Sequence, residues 1–131
     1  MTKFFLIRHA ATETAGKRLS GRKPGVHLNA EGQAQAESLA QRLSGVGISA
    51  IYNSPLERAI ETAEPLARLL NLDHARCENF LEIDFGRWTG CAVTDLENDP
   101  EFKLFNSFRS CTRIPGGVDA RSPGADHFWS R

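Results

Sequence analysis

Short uninterrupted apolar runs and helical repeats of apolar positions take turns along this chain. Phe4-Phe5-Leu6-Ile7 is a run of four, bounded by polar residues. That is the pattern of a short strand buried on both faces inside a parallel sheet. It stops at Arg8-His9. In an open α/β sheet, ligands bind beyond the carboxyl ends of the strands, so a basic pair delivered there is placed to meet an anion. An ordinary exposed Arg-His at a strand end fits this stretch equally well.

Ser20-Gly21-Arg22-Lys23-Pro24-Gly25 follows as a loop. Gly21 would let the backbone approach a ligand closely, Arg22 would add charge, and Lys23 reads as a solvated side chain. Asn29 then suits the N-cap of a helix over about 30–44, with Ala36, Leu39, Ala40 and Leu43 on one apolar face. Gly45 and Gly47 end it. A second strand is expected over Ile48-Ser49-Ala50-Ile51-Tyr52. Ser54, Pro55 and Glu57 follow it in the order of an N-cap, first helical residue and capping-box partner. The helix they open runs to about Asn71 on Ala59, Ala63, Leu66, Ala67 and Leu70. Arg58 falls in its first turn, where backbone N–H groups and the helix dipole already favour an anion. A guanidinium there can hold two phosphate oxygens at once; taken alone, the position also suits an ordinary surface arginine.

Ala75-Arg76-Cys77-Glu78 reads as an edge strand. In Phe80-Leu81-Glu82-Ile83-Asp84-Phe85-Gly86-Arg87-Trp88, acidic and aromatic residues alternate between glycines. Either Glu82 or Asp84, held among apolar side chains, would be a proton donor with a raised pKa; the plainer reading has both carboxylates in water. Asp99-Pro100 opens a short helix to Arg109 with Phe102, Phe105 and Phe108 as an aromatic stripe for core packing or a lid over a cleft. Residues 118–131 show no periodicity and are expected to be poorly ordered.

Composition narrows this picture. Sixteen basic and sixteen acidic residues in 131 cancel, so nothing global points to nucleic acid or an anionic membrane. No apolar run approaches a membrane span or a signal peptide. Cys77, Cys91 and Cys111 lack CxxC spacing and read as free thiols in a reducing, cytoplasmic setting rather than as a zinc site. The length suits one domain.

Taken together, Leu6-Ile7-Arg8-His9-Ala10-Ala11-Thr12, Leu28-Asn29-Ala30-Glu31-Gly32 with Gln35-Ala36, Ser54-Pro55-Leu56-Glu57-Arg58-Ala59 with Thr62, Leu81-Glu82-Ile83-Asp84-Phe85-Gly86 with Trp88 and Gly90, and Pro115-Gly116-Gly117 resemble the ordered motifs of the histidine phosphatase superfamily, in its phosphoglycerate-mutase-like branch. The resemblance implies a three-layer α/β/α fold with a mostly parallel sheet. It also implies a partial domain over residues 1–117, followed by an atypical tail over 118–131. His9 would be the nucleophile that forms a phosphohistidine. Arg8 and Arg58 would offset charge on the phosphoryl oxygens, and Glu82 rather than Asp84 would protonate the leaving alcohol. Thr12, Gly21 and Arg22 would line the phosphate pocket. No metal or other cofactor is implied. The partner would be a small phosphorylated substrate or inorganic phosphate, and the short segment after Glu82 is closer to phosphatases than to mutases.

The chain departs from the family pattern in three places. Ala10 stands where the family has Gly, and Ala15 where many members have Asn. After Gly117 the family's continuation, a helix, a strand and a second His, is replaced by unrelated sequence, and His127 is a poor substitute. The expectation is therefore a fold lacking its C-terminal strand and helix, an exposed sheet edge prone to self-association, and activity weakened or lost. Losing one preorganised phosphate donor typically costs about 10²–10³ in rate. A phosphate-binding remnant without turnover and mutase-type phosphotransfer are the alternatives.

Overall fold

The computed structural model describes residues 1–109 and 112–117. The expected tail from Val118, with His127, lies outside the described residues, as does Cys111. The secondary structure is α/β, and the contacts divide it into two compact units. One comprises residues 1–13 and 25–80, the other residues 14–24 and those from Leu81 on.

The first unit holds helix α1 (Ala30–Leu43), strand β1 (Ile51–Asn53), helix α2 (Glu57–Leu70) and strand β2 (His74–Arg76). β1 and β2 pair in parallel, Ile51 opposite His74 and Asn53 opposite Arg76. The α2 helix is the crossover between them, as a parallel pair requires. Helix α1 begins where its cap says it should: the Asn29 side chain accepts a hydrogen bond from the Gly32 N–H. Its Ala36 and Ala40 are buried against α2, which contributes Leu66, Ala67 and Pro65 to the same core. Small residues let the two helices approach closely. Val26 and Leu28 complete that core from the preceding loop.

Two sequence expectations fail in this unit. Phe4–Ile7 is not a strand, and its side chains are exposed at 84%, 47%, 88% and 45%. An apolar run becomes a buried strand only when neighbours take up its backbone groups and cover its faces. Among the described residues no strand pairs with it. The capping box at Ser54 is also absent. Helix α2 starts later, with Leu56 at the N-cap and no side-chain cap bond. Ser54 Oγ reaches only the Leu56 N–H, at 3.4 Å, while the Glu57 carboxylate accepts from the Gly25 N–H at 3.0 Å. A distant backbone donor has displaced the local one. Strand β1 lies three residues later than expected at its start, and β2 ends at Arg76, with the Cys77 N–H still donating to the Asn53 carbonyl.

The second unit contains helices α3 (Val93–Leu96) and α4 (Pro100–Ser107). Trp88, Leu96, Phe105 and Ile114 form its buried cluster, with Leu19, Phe85, Cys91 and Phe102 packed around them. Trp88 meets Phe102 edge-on at 5.2 Å between ring centres and Phe105 at 5.6 Å. Asp99 ties this core to α4. Its Oδ1 accepts the N–H groups of Glu101 and Phe102, and its Oδ2 accepts the Trp88 indole N–H. Arg87 closes over it, paired with both Asp99 and Glu101. The expected aromatic stripe is buried at Phe105 and half-buried at Phe102, but Phe108 is 61% exposed, since α4 has ended at Ser107.

Candidate active site

His9 is half-buried, and its Nδ1 lies 2.8 Å from the carbonyl oxygen of Ala10. A carbonyl can only accept, so Nδ1 is the donor in this bond. The bond fixes the orientation of the imidazole through Nδ1. The loop after His9 is fastened along its length. The Ala10 N–H donates to Thr62 Oγ1 at 3.0 Å, and the Ala11 N–H donates to Gln35 Oε1 at 3.0 Å. The Ala11 carbonyl accepts from the Asn29 N–H. Thr12, 4% exposed, forms an antiparallel bridge with Leu28.

Gly32 explains how helix α1 reaches that loop. A Cβ placed there would stand 2.0 Å from the Ala11 carbonyl oxygen, so only glycine permits the approach. Helix α2 reaches the loop from its own first turns. Thr62 donates to the Arg58 carbonyl at 2.6 Å while accepting from Ala10. One hydroxyl thus links the His9 loop to the turn that carries Arg58. Arg58 itself is 3% exposed. A guanidinium is always charged, and burying one is costly unless anionic or dipolar groups answer it. Arg8, in contrast, is exposed.

On the next ridge of α2, Glu57 and Glu61 hold the loop before α1. Glu57 takes the Gly25 N–H, and Glu61 takes the Leu28 N–H at 2.7 Å and the His27 ring. The bond from Gly25, more than any other influence, keeps the Glu57 carboxyl below its ordinary pKa. The hydrogen bond to Glu61 and that carboxylate's charge raise His27. Thr62, Gln35 and Glu61 have structural roles that reading the sequence did not assign. Thr62 and Glu61 had a signal: with Glu57 and Arg58 they put polar residues at i, i+4 spacing on a helix whose other faces were accounted for.

The second unit holds the remaining candidates. Gly21 is buried with φ +50°, and a Cβ there would meet Phe85 at 3.1 Å and Thr89 at 3.3 Å. It therefore packs the loop against the acidic segment. Arg22 donates from Nε to the Glu82 carbonyl, so at least one of its donors is spent on backbone. Gly86 and Gly117 bring the Pro115-Gly116-Gly117 turn against the same segment: a Cβ at Gly86 would stand 2.3 Å from the Pro115 carbonyl, and one at Gly117 2.4 Å from the Asp84 carbonyl. Of the two readings of Glu82, the plainer one holds: its carboxylate is in water and not held among apolar side chains. Glu82 is exposed and its carboxylate accepts its neighbour's N–H, that of Ile83, at 2.8 Å. Trp88, expected beside it, points into the core toward Asp99. Asp84 accepts the Gly86 N–H and shapes the turn.

Among the described residues no group of three or more His, Cys, Asp or Glu side chains could hold a metal ion. No helix there is long and apolar enough to cross a membrane. Cys77 and Cys91 are free thiols.

A profile of the histidine phosphatase superfamily (branch 1) matches residues 4–123. The chain belongs to this superfamily. Phosphoserine phosphatase 1 of Hydrogenobacter thermophilus is 38% identical over 105 residues, covering 77% of this chain and 48% of that protein. Phosphoserine phosphatase of Entamoeba histolytica, solved with 3-phosphoglyceric acid, superposes with a TM-score of 0.69 at 32% identity, covering 81% of this chain and 52% of that one. The mycobacterial glucosyl-3-phosphoglycerate phosphatase Rv2419c, solved with inorganic phosphate, gives 0.71 at 25% identity, covering 85% and 52%. The chain thus spans about half the length of these relatives, and its fold is the α/β, phosphoglycerate-mutase-like fold of the superfamily.

Proposed function

We propose that this histidine phosphatase chain carries the chemistry of phosphomonoester hydrolysis on a small phosphorylated metabolite. His9 Nε2 attacks phosphorus, the bond from phosphorus to the ester oxygen breaks, and Glu82 gives the leaving alcohol its proton. Water then attacks the phosphohistidine, releasing inorganic phosphate and returning the lone pair to Nε2, with its proton going to the Glu82 carboxylate. Arg8 and Arg58 offset the charge that spreads over the equatorial oxygens, which is the main demand of phosphoryl transfer. Thr12, Gly21 and Arg22 are the further pocket residues in this reading. The observation that carries it is the joint at Thr62: it ties the loop of His9, whose ring is oriented by the Nδ1 bond to backbone, to the turn of a buried Arg58. The phosphatase names of the relatives, and the phosphate and 3-phosphoglyceric acid bound in two of them, support the substrate class.

The test is turnover of p-nitrophenyl phosphate by the full chain against His9→Ala, with acid quenching to trap phosphohistidine. Turnover lost in the variant is the expected result, and equal rates in both would end the proposal. The exposure of Glu82 favours a second reading, phosphate binding or phosphohistidine formation with little release, which mutase-type transfer would share. It is marked by trapped label without steady turnover. The bare run Phe4–Ile7 supports self-association of copies through that segment, expected as a mass that rises with concentration. The free thiols Cys77 and Cys91 support a cytoplasmic setting.

A further inference from the structure

His74 has no part in the chemistry above, yet it makes two side-chain contacts that enclose the segment bearing Arg58. Its Nδ1 donates to Asn53 Oδ1 at 2.7 Å, and its Nε2 lies 3.1 Å from Glu64 Oε2. The ring is largely covered, its side chain 17% exposed. Asn53 is the last residue of β1 and is 6% exposed. Its amide orientation is set by its other bond, since Nδ2 donates to the Ser54 carbonyl at 2.8 Å. That leaves Oδ1 facing His74 and accepting from it. Glu64 lies on α2, six residues beyond Arg58, and Asn53 lies five residues before it. One imidazole on β2 therefore grips the chain on both sides of the arginine.

Local structure does not do this work. The N-cap of α2, Leu56, has no side chain to bond the helix start, and the Ser54 hydroxyl is at the limit of reach. A helix start without its own cap takes its position from tertiary contacts. Asn53 is such a contact immediately upstream, held by His74 from its side chain and by the Cys77 N–H at its carbonyl.

We propose that His74 is a positioning residue for Arg58, acting through Asn53 on the strand end that leads into α2. The inference rests on the reading that Arg58 meets a phosphoryl group, and it adds a residue outside the pocket that sets how well it does so. Small displacements of a positioned group cost much in binding or rate, up to about a hundredfold for roughly 1 Å.

The test uses the full chain, nitrogen-15 labelled, with the Arg58 Nε–H resonance identified by its loss in Arg58→Lys. Asparagine can stand in for the Nδ1 side of the ring and glutamine for the Nε2 side. His74→Asn should keep the bond to Asn53, the Arg58 resonance and the affinity for inorganic phosphate. His74→Gln and His74→Ala should shift that resonance without any ligand and weaken phosphate binding about tenfold to a hundredfold. Arg68→Ala, which removes the α1–α2 ion pair with Glu37, should change neither and so separates positioning from general loss of stability. If His74→Ala fails to fold, His74→Gln against His74→Asn carries the same comparison. An Arg58 resonance and phosphate affinity equal in all three His74 variants would overturn the proposal. If the unaltered chain binds no phosphate, the phosphoryl-transfer reading fails, and the Arg58 resonance alone decides the role of His74.

Discussion

The two units hold their candidate residues by different physics. In the second, the acidic segment is anchored by an aromatic core: Trp88, Phe105 and Phe102 pack together and Asp99 takes the indole N–H. In the first, small side chains bring α1 and α2 close, and the His9 loop is set by hydrogen bonds that it donates to Thr62 and Gln35 and accepts from Asn29. The apolar residues that could have supplied bulk there, Phe4 to Ile7, remain exposed. Apolar area is a strong but undirected source of stability, whereas hydrogen bonds contribute less and fix geometry. The unit with the larger aromatic core carries an exposed Glu82, and the unit with the smaller side chains carries the buried Arg58. The directed contacts in this chain fall where the loop after His9 meets the turn that carries the buried Arg58.

Breaking the aromatic side of that contrast should give the largest effect. Trp88→Ala removes a side chain that is 1% exposed and leaves Asp99 without its indole donor. The expected loss is about 3–5 kcal/mol in urea unfolding, and a loss near zero would show that the cluster is not what anchors the segment. Next comes the close approach of α1. Gly32→Ala drives a methyl group onto the Ala11 carbonyl oxygen, with an expected cost of about 1–3 kcal/mol from overpacking. Because the clash falls on the loop next to His9, phosphate affinity should drop with it. The equivalent change at Gly45, where a Cβ meets nothing within 4 Å, should leave phosphate affinity unchanged.

Much of this was legible in the sequence wherever a local rule and the tertiary structure agreed. Asn29 and Asp99 cap α1 and α4 as their spacing predicts, and Ala36 and Ala40 are buried as the helical period requires. The family motifs single out His9, Arg58 and Glu82 as candidates. What escaped was set by contacts distant in sequence. Glu57 looks like a capping-box partner until Gly25, 32 residues away, supplies a better donor. Phe4–Ile7 looks like a buried strand because an apolar run records what its neighbours should be, not whether they are there. Thr62 could be matched to a motif, but its use as the link between Ala10 and Arg58 depends on where α2 meets the loop.

The polar side of the contrast is sharpened by Thr62→Val, which keeps the shape and removes the hydroxyl. The Ala10 N–H then loses its acceptor, for an expected cost of about 1–3 kcal/mol. The telling result is a loss of phosphate affinity in the folded variant larger than any produced by changing Trp88 to Phe. A Thr62→Val chain that unfolds less readily than expected and binds phosphate normally would remove the hydroxyl from the account of the site.

The smallest effect is the pH dependence of the two clasps in the first unit. Glu61 raises the His27 pKa above its ordinary value of 6.5 in the folded chain, so the pair's contribution is complete below 6.5 and is lost as pH rises through the raised value. Glu57 has the opposite sign. Its carboxyl is held below 4.5, chiefly by the Gly25 N–H, so its contribution is present above that value and disappears as pH falls through the lowered one. Between those limits both clasps on the loop over residues 25–28 are engaged. His27 is well exposed, and salt screens such a pair, so the change in urea midpoint should be slight and should shrink further in high salt. His27→Gln should abolish the alkaline limb and leave the acid limb, to which Glu57 and, in the second unit, Asp99 contribute, in place. An alkaline limb that survives in His27→Gln would assign it to another group. Glu57→Gln should shrink the acid limb to the part owed to Asp99, and an acid limb unchanged in that variant would remove Glu57 from it.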